Sequence, residues 1–285
     1  MPRRRRPDLK KLLFVLPNLF TVSSIFCGFY AITLCAGEAD GDTLYRAALL
    51  IFFATFFDAF DGRVARMTRT QSDFGMQLDS LADVISFGVA PGLLAYRWGL
   101  APLGLAGVLA AFVFPLGGAL RLARFNVIAL REKEEGAEVS KFFVGLPIPL
   151  AAGMLVSLVI AHHKAIGSAV VHHGWVAVLV VVLGLLMVSN VRYRTFKDVG
   201  FSRKSALVFL FIVAVGVVVT LRFRASFALV GYFAAYIAFG LLEEIVFFRR
   251  RRREESLSDA LEEAEYDETD EDELVPAEED EEVWS

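Results

Sequence analysis

The stretch from Phe57 to Gly88 decides the fold, and it reads FDAFDGRVARMTRTQSDFGMQLDSLADVISFG. Between long apolar runs it places four aspartates: Asp58, Asp61, Asp79 and Asp83. The first pair is three residues apart and the second pair four, so each pair shares one face of a helix. An ionised aspartate at the centre of a membrane helix costs roughly 2.5–3.5 kcal/mol, so four would cost about 10 kcal/mol without compensation. Clustered carboxylates bind hard cations, and the stretch therefore predicts a site for Mg²⁺, Mn²⁺ or Ca²⁺.

The rest of the chain is as apolar as this stretch suggests. Of its 285 residues 56% are hydrophobic, and several runs approach the 18–20 apolar residues that span a bilayer. These runs predict an all-α, polytopic transmembrane bundle with about eight spans, near residues 14–36, 45–65, 75–96, 101–123, 143–161, 174–190, 205–221 and 225–247. The first run is long and lacks a small-residue cleavage site, so we interpret it as a retained span rather than a signal peptide.

Charge divides the chain into regions. The formal net charge is −4, but residues 254–285 hold 17 of the 33 acidic side chains and no Lys or Arg. We therefore predict a basic cytoplasmic N-terminus (1–13), a transmembrane catalytic domain (14–248) and a basic anchor followed by an acidic tail (249–285). The tail is poor in apolar residues, and disorder is its expected state.

The basic residues also predict the orientation in the membrane. If both termini are cytoplasmic, 24 of the 29 Lys and Arg residues fall on the cytoplasmic side and 5 on the other. This asymmetry is typical of multi-pass proteins of the cell (inner) membrane. It places the four aspartates near the cytoplasmic headgroups, where water-soluble reactants and lipid both have access. The lipid bilayer is thus a predicted partner, and nothing in the sequence indicates nucleic-acid binding.

Small and basic residues between the aspartates indicate what the site binds. Gly62 directly follows Asp61, so a phosphate or sugar can approach the backbone. Ala65 keeps the next turn small, and the guanidinium of Arg66 suits a diphosphate. Gly75 leaves space one turn before Asp79. A divalent metal beside a cation and small residues predicts a diphosphate-linked substrate, whose leaving phosphate the metal neutralises.

The whole pattern, Asp58-x2-Asp61-Gly62-x2-Ala65-Arg66-x8-Gly75-x3-Asp79-x3-Asp83, resembles the signature of the CDP-alcohol phosphotransferase family. The resemblance implies a membrane enzyme that displaces CMP from a CDP-linked lipid by an alcohol. It implies that Asp58, Asp61 and Asp79 hold the metal, Mg or Mn, and that Asp83 is both a ligand and the catalytic base. It also implies a set of residues that face the CDP moiety: Gly62, Ala65, Arg66, Ser72 and Gly75.

Other segments extend this resemblance to about residues 14–205. Pro17, Asn18 and Thr21 resemble the first-helix segment of the family that touches the nucleotide of CDP-diacylglycerol. Segments around residues 121–126, 145–149 and 189–193 resemble the branch of the family that uses L-serine. A serine carboxylate and ammonium need cations and amides, and the candidates in these segments are Arg121, Arg124, Asn126, Asn190 and Arg192. The family resemblance also implies a homodimer.

Two alternatives remain open at this level. The same chemistry is compatible with another acceptor alcohol, such as glycerol 3-phosphate or an inositol phosphate. A divalent-cation transporter would also use four aspartates, although an ion pathway has no need of a diphosphate cradle. Four histidines, at positions 162, 163, 172 and 173, are interpreted as solvated loop residues. Cys27 and Cys35 suggest neither a disulfide framework nor a zinc site.

Overall fold

The computed structural model describes residues 9–68, 72–135, 142–167, 174–194 and 227–241. Nearly all of these residues are helical, and five helical segments are long and apolar enough to cross a membrane. These segments are Asn18–Ala36, Gly41–Val64, Phe74–Leu103, Leu105–Arg131 and Ile148–Ile166. The all-α, polytopic membrane fold that the sequence predicts is confirmed.

The described helices follow one another with short connections. The α-helices are α1 (Leu9–Ala36), α2 (Gly41–Thr68), α3 (Asp73–Asp83), α4 (Ala90–Ala95), α5 (Leu105–Glu135), α6 (Ile148–Ile166), α7 (Gly174–Val188) and α8 (Phe227–Leu241). Two π-helices, Val84–Val89 and Tyr96–Leu100, and a 3₁₀ turn, Ala101–Leu103, lie on either side of α4. The segment from Phe74 to Leu103 therefore forms one span with irregular turns in its second half.

Two predicted span boundaries move because of glycine and proline. The fourth span was expected to begin at residue 101, but Gly104 adopts a positive φ of 58° and α5 begins after it. The fifth was expected at residue 143, but Gly145 has a φ of 80° and Pro147 caps α6, which begins at Ile148. Positive φ values interrupt a right-handed helix, and proline fits the start of one.

The later predicted spans are described in part. The sixth corresponds to α7, which has 15 residues. The predicted span at 205–221 lies outside the described residues, and the last, at 225–247, is described over Phe227–Leu241. The total of eight spans and the cytoplasmic location of both termini therefore stay predictions.

Small residues bring the helices of the bundle close together. Helices α1 and α2 pack against each other, and Ala31 of α1 and Ala47 and Ala48 of α2 are fully buried. A Cβ atom on Gly117 of α5 would collide with the carbonyl oxygen of Gly184 in α7. Small residues allow such close approach between membrane helices, where dispersion rather than the hydrophobic effect favours association.

A short strand pair lies where the sequence predicts the start of the fifth span. Strand β1 (Phe142–Val144) pairs with strand β2 (Arg192–Arg194) in antiparallel register, with Val144 opposite Arg192. The N–H of Gly145 donates to the carbonyl of Val191 at 2.8 Å. The pair joins the start of α6 to the end of α7, and satisfies backbone groups that leave their helices there.

His162 and His163 lie at the end of the bundle opposite Asp58 and Asp61, and their interpretation as loop residues is wrong. Both lie in α6 and are half-buried. The His163 ring stacks on Tyr45 at a centroid distance of 4.4 Å, and its Nε2 lies 3.4 Å from the carboxylate of Asp42. The His162 ring meets Trp98 edge-on at 5.7 Å. Helix α6 extends five residues beyond its predicted end and carries these rings with it, while His172 and His173 lie outside the described residues.

Candidate active site

Three of the four aspartates meet between α2 and α3. Asp58 and Asp61 lie in the last three turns of α2, and Asp79 lies in the second turn of α3. One carboxylate oxygen from each lies within 4.8 Å of the others. Asp61 is buried, and Asp58 and Asp79 are half-buried. Spacings of three residues in α2 and the crossing of α3 thus bring together side chains that are 21 residues apart in sequence.

Asp83 lies beside this group rather than in it. It is the last residue of α3, one turn beyond Asp79, and its carboxyl group contacts that of Asp58. The guanidinium of Arg121, from the middle of α5, is buried and interacts electrostatically with Asp83. The fourth aspartate therefore interacts both with a member of the carboxylate group, Asp58, and with a buried cation.

The donor set fits a divalent metal ion. Among the described residues, Oδ1 of Asp79 and Oδ1 of Asp83 are buried and have no hydrogen-bond partner. Burying a carboxylate oxygen without a partner is costly, and metal coordination is one of the few ways to offset the cost. Three carboxylates converging on one point are the ligands that hard divalent cations prefer. The group formed by Asp58, Asp61 and Asp79 is thus a candidate metal site.

Helix α1 contributes two of the predicted nucleotide-binding residues to this region. The hydroxyl of Thr21 donates to Oδ2 of Asp61 at 2.8 Å. The side-chain oxygen of Asn18 lies 3.9 Å from where a Cβ atom on Gly75 would be, and the Ser72 hydroxyl lies 3.2 Å from that point. The predicted residues Asn18, Ser72 and Gly75 are therefore neighbours at the start of α3.

Ser72 has a local structural role that its position in the sequence motif does not reveal. It is the N-cap of α3, and its hydroxyl accepts a hydrogen bond from the Gly75 N–H at 3.0 Å. This bond satisfies one of the free N–H groups at the helix start.

Gly62 follows Asp61 in α2 and is half-buried. The side chains of Pro17, Ala65 and Arg66 lie outside the described part of the structure.

The candidate serine-binding residues are spread over two regions. Arg121 is buried near Asp83, whereas Arg124, one turn further along α5, is exposed. Asn190 is exposed in the turn between α7 and β2. Arg192 pairs through its backbone with β1, and its side chain lies outside the described residues. Of these four, the structure places Arg121 next to the aspartates.

Asn126, the fifth candidate, holds α5 against α3. Its Nδ2 donates to the Ser80 hydroxyl at 3.0 Å and to Oε1 of Gln77 at 3.4 Å. The Ser80 hydroxyl also lies 3.4 Å from Oδ1 of Asn126. Ser80 directly follows Asp79, so this contact helps to orient α3, the helix that carries Asp79 and Asp83.

We expect Asn126→Ala to lower the free energy of unfolding by about 1–2 kcal/mol, because the hydrogen bonds that join Ser80 and Gln77 of α3 to α5 are lost. Thermal unfolding in detergent measures this, with the exposed Asn190→Ala as the matched control that leaves the midpoint unchanged. An unaltered midpoint together with a raised KM for serine would instead support direct serine binding by Asn126.

Several neighbours of the site could not be found from the sequence pattern. Gln77 and Ser80 gave no motif signal, and neither did the buried contact in which the Ser86 hydroxyl donates to the carbonyl of Ser24 at 2.9 Å. Ser86 lies in the π-helix that follows Asp83, and a Cβ atom on Gly28 would come within 2.7 Å of it. The spacing of Ser24 and Gly28, small residues one turn apart in α1, is a signal that could have indicated a close helix contact there.

Comparison with known proteins assigns this fold and site to a class. Residues 14–186 match the family model for CDP-alcohol phosphatidyltransferase. The chain belongs to the CDP-alcohol phosphatidyltransferase family, as its aspartate motif predicts. The match extends from α1 to α7 and includes every residue of the three-carboxylate group.

Individual relatives are similar over most of their length. The chain is 37% identical to a CDP-diacylglycerol–serine O-phosphatidyltransferase of Helicobacter pylori, over 81% of this chain and 91% of that protein. It is 33% identical to the protein of that name from Methanocaldococcus jannaschii, over 84% of this chain and 98% of the other. An archaetidylserine synthase of Methanothermobacter thermautotrophicus is 34% identical over 68% of this chain and 76% of its own.

Proposed function

We propose that this protein transfers the phosphatidyl group of CDP-diacylglycerol to L-serine, and releases phosphatidylserine and CMP. The observation that carries the proposal is the convergence of Asp58, Asp61 and Asp79 within membrane-spanning helices of a CDP-alcohol phosphatidyltransferase. The choice of serine is supported by the names of the relatives in Helicobacter and Methanocaldococcus. The resemblance of the segments around residues 121–126, 145–149 and 189–193 points to the same acceptor.

The proposed reaction is the displacement of CMP from phosphorus by the serine hydroxyl. The serine hydroxyl oxygen forms a bond to the phosphorus that bears the diacylglycerol, and the bond from that phosphorus to the oxygen of CMP breaks. Asp58, Asp61 and Asp79 hold the divalent metal, Mg or Mn, with Asp83 beside them. When bound, this ion neutralises charge that develops on the diphosphate. Asp83 accepts the hydroxyl proton of serine, and Arg121 faces the acceptor's carboxylate.

The nucleotide side of the site is assigned to α1, α2 and the start of α3. The proposed contacts to CDP-diacylglycerol are Pro17, Asn18, Gly62, Ala65, Arg66, Ser72 and Gly75; the family resemblance adds Thr21 to this set, but its hydroxyl donates to Asp61. The proximity of Asn18, Ser72 and Gly75 supports one continuous surface for the nucleotide. Gly75 matters there because a side chain would meet the Ser72 hydroxyl at 3.2 Å.

The cellular setting is part of the same proposal. The excess of basic residues on one side, 24 against 5, supports a cell (inner) membrane location with the active site on the cytoplasmic side. The transmembrane catalytic domain would then be residues 14–248, between the basic N-terminus and the basic anchor with its acidic tail. A homodimer is proposed from the family resemblance.

Arg66→Lys is expected to raise the KM for CDP-diacylglycerol at least about tenfold and leave the KM for serine nearly unchanged. A guanidinium binds two diphosphate oxygens at once, whereas an ammonium acts as a point charge. Initial rates of CMP release, with each substrate varied in turn, measure the split. Arg63→Lys, an exposed arginine on the same helix, is the matched control. An unchanged KM and kcat for the lipid in Arg66→Lys would exclude the assignment.

The proposed reaction is tested with purified protein, CDP-diacylglycerol and Mn²⁺ against a panel of acceptors. We expect CMP release with L-serine, and none with glycerol 3-phosphate or an inositol phosphate. Release with one of the other alcohols would keep the reaction class and change the acceptor. Absence of release with every alcohol, together with Mn²⁺ flux in proteoliposomes, would favour the transporter alternative.

A further inference from the structure

The hydrogen bond between Thr21 and Asp61 joins two helices inside the bundle. Thr21 is 5% exposed on α1 and Asp61 is 6% exposed on α2. The hydroxyl of Thr21 lies 2.8 Å from Oδ2 of Asp61, an ordinary distance for an O–H···O hydrogen bond. The two residues are 40 positions apart, so the bond depends on how α1 and α2 pack.

The surroundings of this bond make it stiff. Threonine is β-branched, and its χ1 angle is restricted in a helix, so the hydroxyl has few alternative directions. Helices α1 and α2 pack extensively against each other, and Thr21 and Asp61 are both buried, which leaves the two side chains little room to change orientation. A donor fixed in this way selects one orientation of the Asp61 carboxylate about its terminal torsion, which is otherwise broad.

We propose that Thr21 is a positioning residue that acts through Asp61 on the metal site, and is not a contact of the lipid nucleotide. Hydrogen bonds from neighbouring groups orient metal-binding side chains, and their loss typically weakens metal affinity 10–100-fold. Burial of Thr21 leaves little of its surface for a substrate, and its hydroxyl is directed at a carboxylate that belongs to the candidate metal group. The inference rests on the proposed metal-dependent function, and it changes the role that the family resemblance implied for Thr21.

The test compares Thr21→Val, which keeps the shape and removes the hydroxyl, with Thr21→Ser, which keeps the hydroxyl. Thr33→Val is the matched control, because Thr33 lies on the same helix, is exposed, and donates to the carbonyl of Tyr30. Binding of Mn²⁺ to the purified full-length protein in detergent is followed by the loss of the free-ion electron paramagnetic resonance signal. Binding of CMP at saturating Mn²⁺ is measured by calorimetry on the same samples.

We expect Thr21→Val to weaken Mn²⁺ binding about tenfold or more. Thr21→Ser should restore most of the affinity, Thr33→Val should match the wild type, and CMP affinity at saturating Mn²⁺ should be unchanged in all variants. Thr21→Ala is a second variant without the hydroxyl, for use if the valine variant does not fold.

Two results would overturn the inference while leaving the proposed function intact. One is wild-type Mn²⁺ affinity in Thr21→Val, and the other is a loss of CMP affinity at saturating Mn²⁺, which would make Thr21 a nucleotide contact. A wild-type protein that binds no Mn²⁺ would overturn the proposed function and the inference together. The wild-type titration therefore separates the two failures.

Discussion

Asn in place of Asp61 or Asp79 is expected to lower the rate of CMP release by about 10³-fold or more, the equivalent of roughly 4 kcal/mol of lost transition-state stabilisation. Asparagine has nearly the same size as aspartate and lacks the negative charge that holds a divalent cation. In Asp61→Asn the amide oxygen still accepts from Thr21, so the variant removes the charge and preserves the hydrogen bond that joins α1 to α2. The same loss is expected for Asp58→Asn.

The matched control for these variants lies on the same helix. Asp42→Asn changes an aspartate of α2 whose side chain is 62% exposed. It precedes Asp58 by 16 residues, or about 24 Å along the helix axis. Its rate should equal that of the wild type, and initial rates over a range of Mn²⁺ concentrations give the comparison. Full activity at low Mn²⁺ in any one of the three cluster variants would contradict the metal assignment.

The aspartates could be identified from the sequence because a carboxylate within an apolar membrane segment costs free energy. Carboxylates within apolar runs require compensation, and their spacing of three or four residues fixes which of them share a helix face. The meeting of α2 and α3 then follows from the short connection between these two helices. Spacing and cost predict one metal site from all four aspartates, and the structure brings the side chains of Asp58, Asp61 and Asp79 together.

The parts that sequence reasoning missed depend on contacts between distant residues. The bond from Thr21 to Asp61 spans 40 positions, and those from Asn126 to Ser80 and Gln77 span 46 and 49. The side chain of a serine, threonine or asparagine on an apolar helix can form hydrogen bonds with many different partners, and only the packing of the helices determines which partner it has. The strand pair of residues 142–144 and 192–194 was missed for the same reason, since three residues carry no periodic signal.

The irregular helix turns after Asp83 are another feature that sequence reasoning missed. The residues from Val84 to Val89 form a π-helix, which periodicity of apolar residues does not distinguish from an α-helix in so apolar a run. The wider turn buries Ser86, Phe87 and Gly88. π-Helical turns occur frequently at functional sites, and this one begins at the residue after the candidate catalytic base. Asp83 therefore lies at the junction between α3 and the π-helical turn.

Asp83→Asn is expected to abolish turnover while CDP-diacylglycerol still binds. The serine hydroxyl is a weak nucleophile until a base removes its proton, and a positioned base contributes typically 10²–10⁴-fold. Asp83 suits this role because it lies outside the group of Asp58, Asp61 and Asp79 and is in contact with it. The buried guanidinium of Arg121, whose Nε has no hydrogen-bond partner among the described residues, also interacts with Asp83, and we propose that it binds the carboxylate of serine.

Two measurements on Asp83→Asn and Asp58→Asn test whether Asp83 is the base. A binding titration with CDP-diacylglycerol in the presence of Mn²⁺ reports whether the metal and nucleotide site is intact, and an assay of CMP release reports turnover. Asp58→Asn should lose both, because Asp58 belongs to the three-carboxylate group. Asp83→Asn should lose turnover alone, because the three carboxylates and Arg66 remain for the metal and the diphosphate. If Asp83→Asn lost lipid binding as severely as Asp58→Asn, Asp83 would act only as a metal ligand, and another group would have to accept the proton of serine.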